Sequence, residues 1–122
     1  MSQPRPVNKP VECAIPSLAK QMEAQAEKAA DLLKAMSNPQ RLRVLCLLLE
    51  GERSVGQINE QVELSQSALS QHLAVLRDQQ LVTTRRQAQT VFYSVAPGPV
   101  HEIIQTLHAI YCPQPGSGRI CT

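Results

Sequence analysis

Aromatic residues are nearly absent from this sequence of 122 residues, which contains no tryptophan, one phenylalanine and two tyrosines. A hydrophobic core must therefore be built mainly from leucine, valine, isoleucine and alanine, and the length suits one domain with a core of modest size. The formal net charge is only +2. Overall charge thus does not predict a nucleic-acid partner, and any positive patch must come from the placement of the basic residues.

Long apolar runs are also missing. No window approaches the ~18 consecutive apolar residues of a transmembrane helix, and the N-terminus has Pro4, Pro6 and Pro10 in place of the apolar segment of a signal peptide. We therefore predict a cytoplasmic protein with no membrane contact. Structural disulfides are not expected in that reducing compartment, which leaves packing, metal binding or redox chemistry for the cysteines. The four cysteines are Cys13, Cys46, Cys112 and Cys121.

Composition divides the chain into three parts. Residues 1–16 are rich in proline and show little apolar periodicity, so we predict a flexible N-terminal tail there. Residues 17–112 are predicted to form one folded domain. Residues 113–122 contain Gly116 and Gly118 and are predicted to form a flexible C-terminal tail.

The stretch 65–78 predicts a helix with two contrasting faces. Leu69, Leu73 and Leu76 share one face, and Ser65 is a suitable N-cap. Amides and hydroxyls of the other face can bond to base edges in a major groove, whereas glutamates would be repelled by phosphate. The alternative is an ordinary polar surface helix. The candidate DNA-binding residues on this helix are Gln66, Ser67, Ser70, Gln71 and His72.

A second, shorter helix is predicted just before this one. Ser54 and Gln57 have the spacing of a capping box, and a helix over 55–61 then meets a turn at 62–64. A short helix, a turn of three or four residues and a second helix with a polar face are typical of a helix-turn-helix.

Beyond Leu81 the period changes to that of β-strands. Residues 82–86 and 90–95 are rich in β-branched and aromatic side chains, and the tip at 87–89 between them predicts a hairpin. Arg85 and Arg86, near this tip, would lie against the phosphate backbone, with Thr83 and Gln87 as weaker candidates. The hairpin would then be a wing; the alternative is a solvated pair of charges. The predicted fold is mainly α with a β-hairpin wing, a winged helix-turn-helix.

Helices are also predicted on both sides of this unit. The helix over 17–36 carries a stripe of small and apolar residues, and a helix with apolar spacing runs from 100 through 112. These first and last helices predict a homodimer, which would place two reading helices about 34–36 Å apart on an inverted-repeat operator of double-stranded DNA. Between them, a helix from Pro39 to Gly51 is apolar nearly all round and is predicted to be buried.

Three segments together carry a family resemblance. Residues 32–42 read LLKAMSNPQRL, residues 64–73 read LSQSALSQHL, and residues 90–94 read TVFYS. Over about residues 24–112 the sequence resembles the ArsR/SmtB family of small winged-helix repressors. The resemblance implies a DNA-binding transcriptional regulator that has no cofactor and is not an enzyme.

Within that family the sequence is most similar to the persulfide-responsive group of HlyU, SqrR and BigR. That group carries one cysteine in the second helix and one at the end of the last helix, the places of Cys46 and Cys112. The resemblance implies that reactive sulfur links these thiols and that DNA is then released. A direct disulfide needs Cα atoms within about 7 Å, whereas each added sulfur extends a bridge by about 2 Å. A polysulfide could therefore span a gap that peroxide could not close.

Other interpretations stay open at this point. Cys46 alone would be typical of a buried, inert thiol. Three of the four cysteines could bind arsenite or a soft metal, although 55–60, where metal sensors of the family carry paired cysteines, has none. His101 and His108 are more typical of surface residues than of a zinc site. A thiol enzyme is a weaker interpretation, because the sequence contains no Cys-x-x-Cys motif. An architectural DNA binder is also weaker, because few cations lie near the predicted reading helix.

Overall fold

The structure is a computed structural model that describes residues 17–112. The predicted tails at 1–16 and 113–122, with Cys13 and Cys121, lie outside the described residues. Two compact units divide between Lys34 and Ala35. The helices are α1 (Leu18–Glu23), α2 (Ala26–Met36), α3 (Pro39–Glu50), α4 (Val55–Gln61), α5 (Gln66–Asp78) and α6 (Val100–Tyr111). The strands are β1 (Arg53–Ser54), β2 (Val82–Gln87) and β3 (Thr90–Val95).

The prediction of one continuous helix over 17–36 is wrong, because the structure has two helices there. Ser17 caps α1 by accepting a hydrogen bond from the backbone N–H of Lys20 at 3.2 Å, but α1 ends at Glu23 and α2 begins only at Ala26. The N–H of Gln25 bonds to the carbonyl of Met22, three residues back, at 3.0 Å. This tighter turn interrupts the i to i−4 pattern on which a continuous helix depends.

Helix α3 begins where the sequence predicts, but it is less buried than predicted. The Asn38 side chain caps it by accepting from the backbone N–H groups of Gln40 and Arg41 at 2.9 and 3.1 Å, and Gly51 ends it. The prediction of burial nearly all round is wrong, because a single stripe of the helix faces the core where α3 packs against β3 and α5. The buried side chains of α3 are Val44, Leu45 and Leu48.

The predicted helix-turn-helix is confirmed. Both hydrogen bonds of the capping box between Ser54 and Gln57 are present at the start of α4. The side-chain amide of Asn59 donates to the carbonyl of Leu64 at 2.8 Å and so ties the turn to α4. Ser65 then caps α5 by accepting from the backbone N–H of Ala68 at 3.1 Å.

The predicted hairpin is also confirmed, within an antiparallel sheet of order β1-β3-β2. Gln87 pairs with Thr90, so Gln87 belongs to β2 and the turn is only two residues long. Ala88 has a positive φ of 57°, the left-handed conformation that tight hairpin turns require and that glycine usually supplies. Strand β1 was not predicted, because two residues are too few to show a strand period.

Aliphatic side chains and one methionine form the core, as the scarcity of aromatic residues predicts. Helix α6 follows Pro99 and ends at Tyr111, so Cys112 is its C-cap and lies just outside the helix. Within residues 17–112, no helix combines the length and the apolar character that crossing a membrane requires. The buried apolar residues are Ala35, Met36, Val44, Leu45, Leu48, Ile58, Val62, Leu69, Leu73, Leu76, Leu81, Val82, Val100 and Ile104.

Candidate DNA-reading face and thiol groove

The polar side of α5 faces solvent because the opposite side of the helix is buried. Leu69, Leu73 and Leu76 are buried and fix the rotation of the helix. A helix anchored in this way offers its amide and hydroxyl groups for contacts to a DNA groove. The predicted reading residues that are exposed are Gln66, Ser67, Ser70 and Gln71.

His72, the fifth predicted residue of α5, differs from these four. It is half-buried, and its Nδ1 atom lies 3.3 Å from Nη1 of Arg41. The Nε atom of Arg41 also donates to the carbonyl of Ala35 at 2.6 Å. His72 is therefore held from within the protein by Arg41, a contact that the sequence does not predict.

Arg85, predicted to bind phosphate from the wing, is engaged in an ion pair. Its Nε and Nη2 atoms donate to the two carboxylate oxygens of Glu52, each at 2.8 Å. Its guanidinium also lies 4.8 Å from the ring centre of Phe92 and donates to Gln87 at 2.9 Å. These hydrogen bonds from Arg85 hold the pKa of the Glu52 carboxyl below its usual value. Glu52 thus occupies the position on Arg85 that a phosphate would take.

Arg86 lies on the opposite side of the hairpin from Arg85, because successive side chains of a strand alternate between faces. It is exposed, pairs in register with Val91, and forms no ion pair with any residue in the described part of the chain. The two predicted wing cations therefore differ: one is neutralised within the protein and the other is not.

The two predicted sensing cysteines line one groove between α3 and α6. Cys46 is exposed on α3, and Cys112 is half-buried just after α6; neither is in a disulfide. The alternative that Cys46 is a fully buried thiol is therefore wrong, because the residue lies outside the buried stripe of α3. The apolar walls of the groove include Leu42, Leu49, Ile104, Leu107 and Tyr111, and its polar lining includes Glu50, His101 and His108.

The environment of Cys46 makes its thiol a weak acid. Partial burial in the groove is the main cause that raises its pKa, followed by electrostatic interactions with Glu50 and with Cys112. Because the thiolate is the nucleophilic form, a raised pKa lowers the reactive fraction of Cys46 at neutral pH.

Metal ligation finds less support in the described residues. No group of three or more histidine, cysteine, aspartate or glutamate side chains within 17–112 is arranged to hold a metal ion. His101 and His108 are exposed and lie at the groove with the two cysteines. A site of three thiols would need Cys13 or Cys121, which lie outside the described residues.

Comparison with known families gives a match that covers α3, the helix-turn-helix and the start of the first wing strand. Residues 38–84 match the model of the bacterial regulatory proteins of the arsR family. The chain is 53% identical over 97 residues to the transcriptional activator HlyU of Vibrio cholerae, an alignment that covers 80% of this chain and 90% of HlyU.

Solved structures of relatives share the fold. Reduced HlyU from Vibrio cholerae superposes with a TM-score of 0.71 at 54% identity, over 76% of this chain and 98% of that one. The transcriptional repressor BigR from Xylella fastidiosa superposes with a TM-score of 0.74 at 39% identity, over 80% of this chain and 100% of that one. A possible ArsR-family regulator from Mycobacterium bovis, a homodimeric winged helix-turn-helix domain, superposes with a TM-score of 0.67 at 26% identity. The superposition covers 79% of this chain and 89% of that one.

HlyU and BigR are named as transcriptional regulators, and each is matched over most of its length. The matched segment contains the capped helix α3 and the complete helix-turn-helix, the parts that carry the candidate reading face. This chain is a winged helix-turn-helix protein that belongs to the ArsR family of bacterial transcriptional regulators.

Proposed function

We propose that this protein is a dimeric, DNA-binding regulator that responds to reactive sulfur species through Cys46 and Cys112 and then releases its operator. The observation that carries the proposal is the shared groove, which is lined by two thiols from distant parts of the sequence. The predicted action as a repressor stays a prediction, because one relative is named an activator and another a repressor. The cytoplasmic location also stays a prediction.

DNA recognition is assigned to the exposed polar side of α5 and to the wing. Gln66, Ser67, Ser70 and Gln71 would contact base edges or phosphates, and His72 would help to position the helix. Arg86 is available to a phosphate without further change, whereas Arg85 must first exchange the carboxylate of Glu52 for one.

Dimerisation is assigned to the first and last helices. The large apolar side chains that remain exposed within 17–112 all lie on α1, α2 or α6. A second copy of the chain would cover them, and the Mycobacterium bovis relative is homodimeric. An inverted-repeat operator then follows from the two-fold symmetry of such a dimer. These exposed side chains are Leu18, Met22, Leu33, Ile110 and Tyr111.

The sulfur chemistry is an attack of a protein thiolate on the sulfane sulfur of a persulfide, R–S–SH. The two protein thiols and two persulfide molecules give a bridging trisulfide, two molecules of R–SH and one of H₂S, so the persulfides take up the electrons that the protein loses. The bridge would tie α3 to the end of α6. Because α3 packs against α5, a strained link at the groove can bias the position of the reading helix.

The test is the mass of the intact protein, with peptide mapping, after treatment with glutathione persulfide and separately with hydrogen peroxide. We expect a Cys46–Cys112 link with added sulfur after persulfide, together with loss of DNA binding. Cys46→Ser or Cys112→Ser should leave DNA binding intact and abolish release. The variant with both Cys13→Ser and Cys121→Ser is the matched control and should respond like the unchanged protein.

Two results would contradict the sensing proposal. One is an unmodified Cys46 in protein that persulfide has nevertheless released from DNA. The other is release by stoichiometric arsenite with no response to persulfide, which would favour the metalloid sensor that the sequence left open.

A further inference from the structure

Arg41 is held at three points around the start of α3. The Asn38 cap accepts a hydrogen bond from its backbone N–H at 3.1 Å. Its Nε donates at 2.6 Å to the carbonyl of Ala35, near the C-terminal end of α2, where helical carbonyls lack partners within the helix. Its Nη1 reaches Nδ1 of His72 on the reading helix at 3.3 Å. The guanidinium therefore has a defined position before any DNA is bound.

The contact with His72 fixes the chemical form of the imidazole. A guanidinium has only donors and no acceptor, so Nδ1 of His72 must accept and cannot carry a proton. The N–H donor of the ring is then Nε2. Arg41 thus determines both the orientation of the ring and the position of its remaining N–H donor.

The contact between Arg41 and His72 joins two helices that have different proposed roles. Arg41 lies on α3, the helix that also carries Cys46, and His72 lies in the middle of α5. His72 is preceded by the exposed Gln71 and followed by the buried Leu73, so its ring lies at the border between the polar surface and the core.

We propose that Arg41 is a positioning residue for DNA binding, which fixes the reading helix α5 to α3 through the ring of His72. This inference rests on the DNA-binding part of the proposed function and not on its thiol chemistry. Arg41 and His72 act as one unit, so removal of either partner has the same consequence for the orientation of α5.

The first measurement is the affinity of reduced protein for a duplex selected from a random-sequence library by the unchanged protein. Arg41→Gln should weaken binding about tenfold, the loss expected when a hydrogen bond to a charged group is removed. Arg43→Gln is the matched control: it removes the same charge from the same helix, but Arg43 is exposed and bonds to Gln40. The control should change affinity by less than about twofold.

Variants of His72 test whether the two residues act as one unit. His72→Phe, which keeps the ring shape without an acceptor, should weaken binding as much as Arg41→Gln, and the double variant should lose little more. His72→Asn places an amide oxygen near the position of Nδ1 and should retain more affinity than His72→Phe. Thermal unfolding of each variant identifies any loss that comes from misfolding.

The tautomer of the His72 ring can be measured directly. It would not change in the Arg41 variant if Arg41 only stabilised the fold. Long-range ¹H–¹⁵N NMR should show an unprotonated Nδ1 for His72 in the unchanged protein and in Arg43→Gln, and a mixture of tautomers in Arg41→Gln. Strictly additive losses from Arg41→Gln and His72→Phe, or an unchanged tautomer in Arg41→Gln, would overturn the proposal. A failure of persulfide to release DNA would contradict the sensing proposal alone, because every measurement here uses reduced protein.

Discussion

The DNA-reading end of the molecule and the thiol groove are built in opposite ways. At the reading end the backbone is capped at Ser54 and Ser65, and the flanking cations Arg41 and Arg85 already have protein partners. In the groove Cys46 is exposed and unbridged, among apolar walls. The reading end is therefore organised before its ligand arrives, which lowers the entropic cost of binding. The groove leaves Cys46 open to a reagent, while partial burial and then Glu50 raise the pKa of its thiol.

The largest expected effect comes from removing the buried support of the reading helix. Leu69→Ala, at a fully buried position, should lower the free energy of unfolding by about 2–5 kcal/mol through lost burial and a new cavity. Leu107→Ala makes the same change in the half-buried wall of the groove and should cost about 1 kcal/mol. Denaturant unfolding at equal protein concentration measures both. Equal losses of unfolding free energy in the two variants would contradict the difference between the buried support of the reading helix and the open wall of the groove.

The second prediction concerns the wing cation that forms no ion pair. Arg86→Ala should weaken binding by a similar factor for all DNA sequences and flatten the dependence of log K on log salt by about one unit, as expected for one lost phosphate contact. Arg43→Ala, at an exposed position outside the wing, is the control. A change in sequence preference with an unchanged salt slope would show that Arg86 does not contact phosphate.

The third prediction uses the ion pair of the other wing cation. Glu52→Gln removes the charge that neutralises Arg85, so DNA affinity should rise about threefold and the salt dependence should steepen by up to about one unit. Glu63→Gln, which makes the same charge change in the turn before α5, is the matched control for general electrostatics. If both variants strengthened binding equally, Glu52 would have no specific effect through Arg85.

The smallest expected effect lies in the groove. Because burial and then Glu50 raise the pKa of Cys46, its alkylation by iodoacetamide should be slow at neutral pH and should keep accelerating up to the raised pKa. Glu50→Gln lowers that pKa, so the rate at pH 8 should increase by about twofold. Glu102→Gln, on α6 outside the groove lining, is the control. An unchanged rate in Glu50→Gln would show that Glu50 does not control the reactivity of Cys46.

Local signals in the sequence determined most of the fold. The caps at Asn38, Ser54 and Ser65 and the stop at Gly51 located three helices, because capping depends on residues within a few positions of a helix end. The change from helical to alternating periodicity located the hairpin for the same reason. The break at 24–25 was missed because it contains neither proline nor glycine, and the exposure of Cys46 was missed because nearly every side of α3 is apolar in sequence.

The tertiary structure alone decided which functional side chains meet. Glu52 joins Arg85 and Arg41 joins His72 across more than thirty residues of sequence, and Cys46 shares a groove with Cys112 from the far end of the described chain. Such contacts depend on how helices and strands pack, and no local pattern of charge or period encodes them. The sequence by itself therefore identified a winged helix-turn-helix with a polar reading helix. Packing determined that Arg85 is neutralised, that His72 is held, and that the two thiols line one groove.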